Sequence, residues 1–372
     1  MTVNRIALTG FRNYEWETVE FSPGTNVITG DNAQGKTNLL EAVYLLSCGR
    51  GFRTRTDKEL VHFGYSSCEV LSDLSGRGRD QTVLIRITPG TTKKIQVNGV
   101  RTAPSALSET INVVLFCPED LMLVKAGAVE RRKFLDGAIC QLRPRYAALL
   151  TEYNRLLEQK SRILKDWREK PSLLEPLDEF SDALCRCAAG LLRYRAAYTV
   201  RLEQEASAIH REFSGDRETL QLQYRTVSTV TDPLATEKEL YYRLMEHLET
   251  HRQAEIESGQ CLTGVHRDDL EIFINEDPAR TFASQGQTRT AALSLKLGER
   301  ELLSKEIGEE PVLLLDDVLS ELDRGRQEFV LNRLQRGQTL ITCCEDRSVA
   351  ERTGGKVLFV ESGKIKEGIK RK

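Results

Sequence analysis

The chain has 372 residues, 40% of them hydrophobic and 29% charged. That balance excludes wholesale disorder, and the length calls for two or three packed units rather than one simple core. The formal net charge of −2 says nothing about nucleic acid as a partner; only its distribution along the chain bears on that.

Short strands come first. Residues 5–8 and 18–21 alternate, and 26–29 (NVIT) is a β-branched run entering a glycine. Residues 67–73, 82–88 and 95–98 are further strand candidates, with Pro89-Gly90 and Asn98-Gly99 as turn signals. From about Pro118 apolar residues recur at three- and four-residue spacing, which predicts helices over 128–139, 144–167, 174–214 and 237–257. Strand-like segments return at 271–274, 312–315, 339–342 and 356–360. The expected architecture is α/β: one lobe made from both chain ends, 1–117 and 262–372, interrupted by a helical lobe over 118–261. No internal repeat is evident, and no apolar heptad is long enough for an extended coiled coil.

Positive charge gathers in the middle. Residues 125–211 hold 17 Lys and Arg against 12 Asp and Glu, a net of +5. Arg131-Arg132-Lys133 and the series Arg155, Lys160, Arg162, Lys165, Arg168, Lys170 present either a stripe to phosphates or an ion-paired, solvated helix face. The interleaved acids favour the second.

The strongest chemical signal is GDNAQGKT at 30–37, a GxxxxGK[ST] loop between a strand and a helical pattern. Gly30 and Gly35 let the backbone turn and point N–H groups at phosphate oxygens, together with Asp31, Asn32, Ala33 and Gln34 of the same loop. The helix beginning near Lys36 aims its positive end at that anion. Lys36 is expected on the β- and γ-phosphates and Thr37 on Mg²⁺. A nucleoside triphosphate, ATP, with Mg²⁺ is therefore the expected ligand. PVLLLDD at 311–317 reads as a buried strand ending in two carboxylates. Asp316 would hold the metal, and Asp317 would orient or deprotonate water, which suits a hydrolase better than a kinase. Ser284, Gly286 and Gln287 open a helical segment, either as a second anion site or as an ordinary helix cap.

Other constellations carry less. Nine cysteines include only the close groupings Cys185/Cys187 and Cys343/Cys344, neither with zinc-knuckle or redox spacing, so reduced packing cysteines are expected. His247 and His251 lie four apart without a third ligand and read as exposed helical histidines. His266 reads as structural or interfacial. Trp16 and Trp167 form no organised platform for bases. The opening MTVNRIALTG lacks the apolar run of a signal peptide, and no stretch approaches the roughly 20 apolar residues of a membrane helix. A cytoplasmic address is expected.

The order of these motifs resembles the RecF family, within the ABC-type ATPases of the SMC branch. The likeness runs through FRNY at 11–14, GDNAQGKTNLLEA at 30–42, GRGFRT at 49–54, PEDL at 118–121, RRKFLD at 131–136, HRDDL at 266–270, SQGQTRTAALSLK at 284–296 and LLLDDVLSELD at 313–323. The resemblance implies an ABC-type head in which Ser284 contacts the γ-phosphate held by a second subunit. It gives Asp323 to the dimer-crossing loop, Thr342 to the switch position and Arg12 to a nucleotide contact. Gly51 and Val265 depart from the family's usual Ser and Pro. The resemblance further implies an ATP-dependent homodimer that binds single-stranded and gapped or junction DNA, with slow, DNA-stimulated hydrolysis acting as a switch. It also implies RecR and RecO as partners, and a role in recombinase loading and the SOS response. A transporter's nucleotide-binding subunit and a P-loop kinase are the competing classes. Against the transporter stands the offset of 247 positions from Thr37 to Ser284.

Overall fold

Alternating burial along β1 (Thr2–Phe11), with Val3, Ile6 and Leu8 turned inward, starts the first layer of the computed structural model. The structure describes residues 1–54, 56–334, 336–344 and 346–368. After β1 come β2 (Tyr14–Glu20), β3 (Thr25–Thr29), α1 (Lys36–Cys48), β4 (Cys68–Gly76), β5 (Arg79–Ile87), β6 (Lys94–Val97), β7 (Val100–Thr102) and β8 (Val113–Phe116). The middle of the chain holds α2 (Ala128–Leu142), α3 (Pro144–Asp166), α4 (Leu177–Ser214), β9 (Leu220–Arg225), α5 (Glu237–Ser258), β10 (Asp269–Ile274), β11 (Asp277–Pro278), α6 (Ala279–Phe282) and α7 (Gln285–Ile307). The last elements are β12 (Val312–Asp316), α8 (Arg324–Arg333), β13 (Thr339–Cys343), α9 (Asp346–Thr353), β14 (Lys356–Glu361) and β15 (Lys364–Glu367).

Two compact units result, Met1–Leu121 with Glu299–Lys372, and Met122–Gly298. The first holds two six-stranded sheets. One, ordered β2-β1-β4-β5-β6-β7, is antiparallel throughout. The other runs β15-β14-β3-β13-β12-β8 and is parallel except for its β14–β15 hairpin. Parallel strands buried on both faces need near-continuous apolar sequence, and β12 and β13 are buried at every position. Leu39, Leu40, Val43, Leu45 and Leu46 of α1 join side chains of both sheets in one apolar cluster. The two chain ends are stitched by Gln338, which accepts Val3 N (2.7 Å) and donates to Val3 O (2.9 Å) and Ser22 O (2.8 Å). The Asn98-Gly99 turn has positive φ at both residues, 52° and 79°, as a two-residue hairpin turn requires, and it joins β6 to β7.

The second unit is helical around a three-stranded antiparallel sheet, β11-β10-β9. Here the expected boundary shifts. The strand foreseen at 271–274 pairs with β9, so residues 262–298 pack in this unit and not in the lobe of the chain ends. The foreseen basic stripe is largely taken up. Arg155 pairs with Glu152 and Arg162 with Glu158, Lys160 is buried against Glu255, and Arg131 is buried against Asp269. His247 is buried, contrary to expectation: its Nδ1 meets Thr263 Oγ1 at 2.8 Å and its ring stacks on His251 at 3.9 Å. Burial holds its pKa below the usual histidine range, and His251 lowers it further. His266 meets Tyr153 OH (2.7 Å) and Cys261 O (3.0 Å), and burial pushes its pKa down to about 4. Among the described residues no disulfide joins any of the nine cysteines.

Candidate nucleotide site

The loop after β3 takes a shape that only its own residues allow. Gly30, Ala33 and Gly35 have φ of 148°, 63° and 119°. A Cβ on Gly30 would lie 2.2 Å from Val360 O, and one on Gly35 2.6 Å from Asn13 Nδ2. Both glycines are thus demanded by conformation and by space. Two turns brace the loop from outside. Asn13 Nδ2 donates to Gln34 O (2.8 Å) and Tyr14 OH to Gly35 O (2.9 Å), while Ser362 N donates to Gln34 Oε1 (2.6 Å) and Gly363 N to Gln34 O (3.2 Å). Asp31, Asn32 and Ala33 face solvent at its crest. Lys36 arches back under the loop, donating to Gly30 O (2.7 Å) and Asp31 O (3.0 Å).

The order β3-β13-β12 puts the acidic strand end one strand away from the loop. Asp316 stands opposite Thr342 in register, and Thr342 opposite Ile28. Thr37 Oγ1 and Thr342 Oγ1 both donate to Asp316 Oδ1, at 2.9 and 2.8 Å, and Asp317 N donates to Thr342 Oγ1 (2.8 Å). A hydroxyl and a carboxylate converging in this way supply the hard oxygens Mg²⁺ takes, with phosphate and water to complete the shell. Bound there, the metal would neutralise phosphate charge. Among the described residues no group of three His, Cys, Asp or Glu forms an all-protein metal site. Asp317 sits at φ 52° in the left-handed region, a strained conformation for an L-residue that re-aims its carboxylate where β12 ends.

Thr342 is buried behind the carboxylates, spending its hydroxyl on Asp316 and Asp317. Among the described side chains of this segment, Cys344 approaches Lys36: its Sγ lies 3.7 Å from Lys36 Nζ and donates to Asn32 Oδ1 at 3.0 Å. Sequence reasoning took it for a packing cysteine, whereas it is exposed. The strand's own periodicity was the available signal, since the residue two beyond Thr342 shares its phase of the alternation, just past the end of β13. Arg12 has φ 53°, and its guanidinium holds buried Glu41 (Nε–Oε2, 2.7 Å) and Glu59 O (3.0 Å). A Cβ on Gly51 would come 2.7 Å from Glu41 Oε1, so the departure at Gly51 makes room for this pair.

The second unit carries the remaining residues. Ser284 caps α7: Ser284 N donates to Gln287 Oε1 (2.9 Å) and Gln287 N to Ser284 Oγ (3.2 Å), the reciprocal capping box. Ser284 is exposed, and Gly286 O accepts Thr290 Oγ1 (3.0 Å). In the first unit, exposed Asp323 caps α8 through Arg326 N (3.0 Å) and pairs with the Arg326 side chain, which together hold its carboxyl below the usual range.

The RecF/RecN/SMC N-terminal domain family matches residues 2–365. The DNA replication and repair protein RecF of Clostridium botulinum (strain Okra) is 38% identical over 370 residues, 98% of this chain and 100% of that one. The chain belongs to the RecF family. RecF of Acetivibrio thermocellus is 37% identical over 367 residues, covering 98% of this chain and 99% of its own. A solved structure of the recombination mediator protein RecF-ATPrS in the RecFOR pathway superposes with a TM-score of 0.92 at 32% identity, over 99% of this chain and 98% of that chain. The Smc head of Pyrococcus furiosus shares the fold alone, with a TM-score of 0.55 and 16% identity over 98% and 95%.

Proposed function

We propose that this RecF-family chain is an ATP-switched DNA-binding protein of recombinational repair and replication-fork maintenance. The observation that carries the reading is the Thr37–Asp316 contact at the root of a doubly braced P-loop, because it joins the phosphate cradle to a metal ligand from a different strand. ATP and Mg²⁺ are the ligands. Lys36 leaves its two carbonyls for the phosphates, Thr37 and Asp316 hold the metal, and Asp317 orients the water. Ser284 of one protomer, with Gly286 and Gln287, completes the pocket of its partner, and Asp323 lies on the loop that crosses the dimer. Arg12 and Thr342 act from the pocket's rim and floor. ATP favours the closed pair, gapped or single-stranded DNA prefers that state, and slow hydrolysis releases it. RecR and RecO are the partners of this reading, and the cytoplasm is its compartment.

The test is gel filtration with ATP and Mg²⁺. The parent chain is expected to elute as a dimer, and Ser284→Arg, whose P-loop is untouched, to bind ATP yet remain a monomer. A Ser284→Arg chain that dimerises like the parent would remove head closure from the mechanism.

A further inference from the structure

We propose that Lys125 is a positioning residue for the signature serine; the inference rests on the composite-pocket reading above. The chain enters Ser284 through α6, a single helical turn whose last carbonyls have no following turn to satisfy them. Ala279 O accepts Ala283 N at 3.1 Å. The same end is then closed by one side chain. Lys125 Nζ donates to Ala279 O (3.2 Å), Arg280 O (3.0 Å) and Ala283 O (2.9 Å). An ammonium has three donors, and all three go to this turn, where the carbonyl end of a helix favours a cation.

The third acceptor matters most. Ala283 O belongs to the peptide plane that carries Ser284 N, and Ser284 N is the donor to Gln287 Oε1. Gln287 is in turn held from the far side. Its Nε2 donates to Glu218 Oε1 (3.0 Å), and Glu218 Oε2 lies 3.2 Å from Nε2 of buried His210. Lys125 therefore fixes the peptide before the exposed serine, while the Gln287–Glu218–His210 chain fixes the turn after it. An exposed polar turn gains most from such restraint, because association then pays less ordering entropy. Lys125 acts through Ser284 and needs no contact with nucleotide.

Lys125→Met keeps the stem and deletes the ammonium; Lys125→Arg returns the donors. ATP affinity, read with a fluorescent ATP analogue, is expected to stay within about twofold of the parent, since the contacts removed include none made by the P-loop or by Thr37 and Asp316. ATP-dependent dimerisation, read by sedimentation, should weaken about tenfold or more, with partial recovery in Lys125→Arg. The decisive readout is mixing Lys125→Met with Lys36→Ala. Each homodimer has two defective pockets, whereas the mixed pair has one sound pocket, the loop of the first chain and the signature turn of the second. ATP-dependent association should reappear on mixing. Normal dimerisation of Lys125→Met, failure of the mixture to associate, or loss of ATP binding by Lys125→Met would each overturn the inference, the last because it would make Lys125 a support of the fold at large. If Ser284→Arg blocks dimerisation and Lys125→Met does not, only Lys125 loses its role; if Ser284→Arg dimerises, the composite pocket itself is wrong.

Discussion

At the scale of single residues, burial raises the Asp316 carboxyl above its ordinary range; hydrogen bonds from Thr342 and Thr37 and the Arg53 cation pull it back in part, and Asp317 adds to the rise. The sign of the stability effect follows. A carboxyl that holds its proton more tightly when folded costs the fold nothing below its unfolded pKa; the cost grows as pH rises from there through the folded value and is constant above it. Asp316→Asn keeps an oxygen for both threonine hydroxyls and discards the charge. It is expected to melt at or above the parent's temperature at pH 7, with the difference narrowing as pH falls, while Mg²⁺-dependent ATP binding is lost. Calorimetry over that pH range and a nucleotide titration check the two halves. A lower melting temperature at pH 7 would mean that the hydroxyls depend on the anion. The neighbouring residues show what spacing can and cannot reveal. GxxxxGK[ST] made the positive φ of Gly30 and Gly35 and the placing of Lys36 and Thr37 at the loop's helical end legible, because each is a backbone or short-range requirement. Thr342 and Cys344 share one phase of the strand's alternation, and what spacing does not report is that the strand ends between them.

Elements are held together by a few buried polar contacts as well as by apolar faces. Lys160 of α3 and Glu255 of α5 lie 2.6 Å apart, 0% and 2% exposed, and Glu255 Oε1 also accepts Leu262 N (2.7 Å) and Thr263 N (3.1 Å). Removing one partner of a buried pair strands the other charge. Lys160→Met is therefore expected to destabilise the protein by about 3–5 kcal/mol. Lys160→Met with Glu255→Gln, which keeps the acceptor for both amides without the charge, should recover most of that loss. Denaturant unfolding of the two variants decides it, and a double variant as weak as the single one would assign the cost to packing. The helices themselves were legible: 174–214 was expected and Leu177–Ser214 forms, ending at Gly215 with φ 63°. β9 is absent from the expected strands although Leu220, Leu222 and Tyr224 alternate with Gln221, Gln223 and Arg225, because six alternating residues between two long helical patterns are a short signal. That omission also misplaced the unit boundary, since β10 needs β9 as its partner.

For the molecule as a whole, the union of both chain ends was legible because a parallel sheet needs apolar strands from distant segments, and 26–29, 312–315, 339–342 and 356–360 are such segments. Which side chains would meet DNA under the proposed reading was not, because ion pairing across and along helices consumes charges that a count of residues leaves free. The formal net charge of −2 leaves any pull on a polyanion to the way charge is distributed, so phosphate contacts have to be gathered locally. If ATP gathers them by joining two copies, the dimer presents the face of each protomer twice. The slope of log affinity against log salt for a gapped duplex should then be about twice as steep with ATP as with ADP, because slope scales with phosphates neutralised. Linkage adds a second requirement: whatever factor ATP contributes to DNA affinity, DNA must return to ATP affinity. Fluorescence anisotropy across a salt series in both nucleotide states measures the first, and nucleotide titration with and without duplex measures the second. Equal slopes would mean that a single protomer holds the DNA, and ATP-driven pairing would then serve some step other than binding.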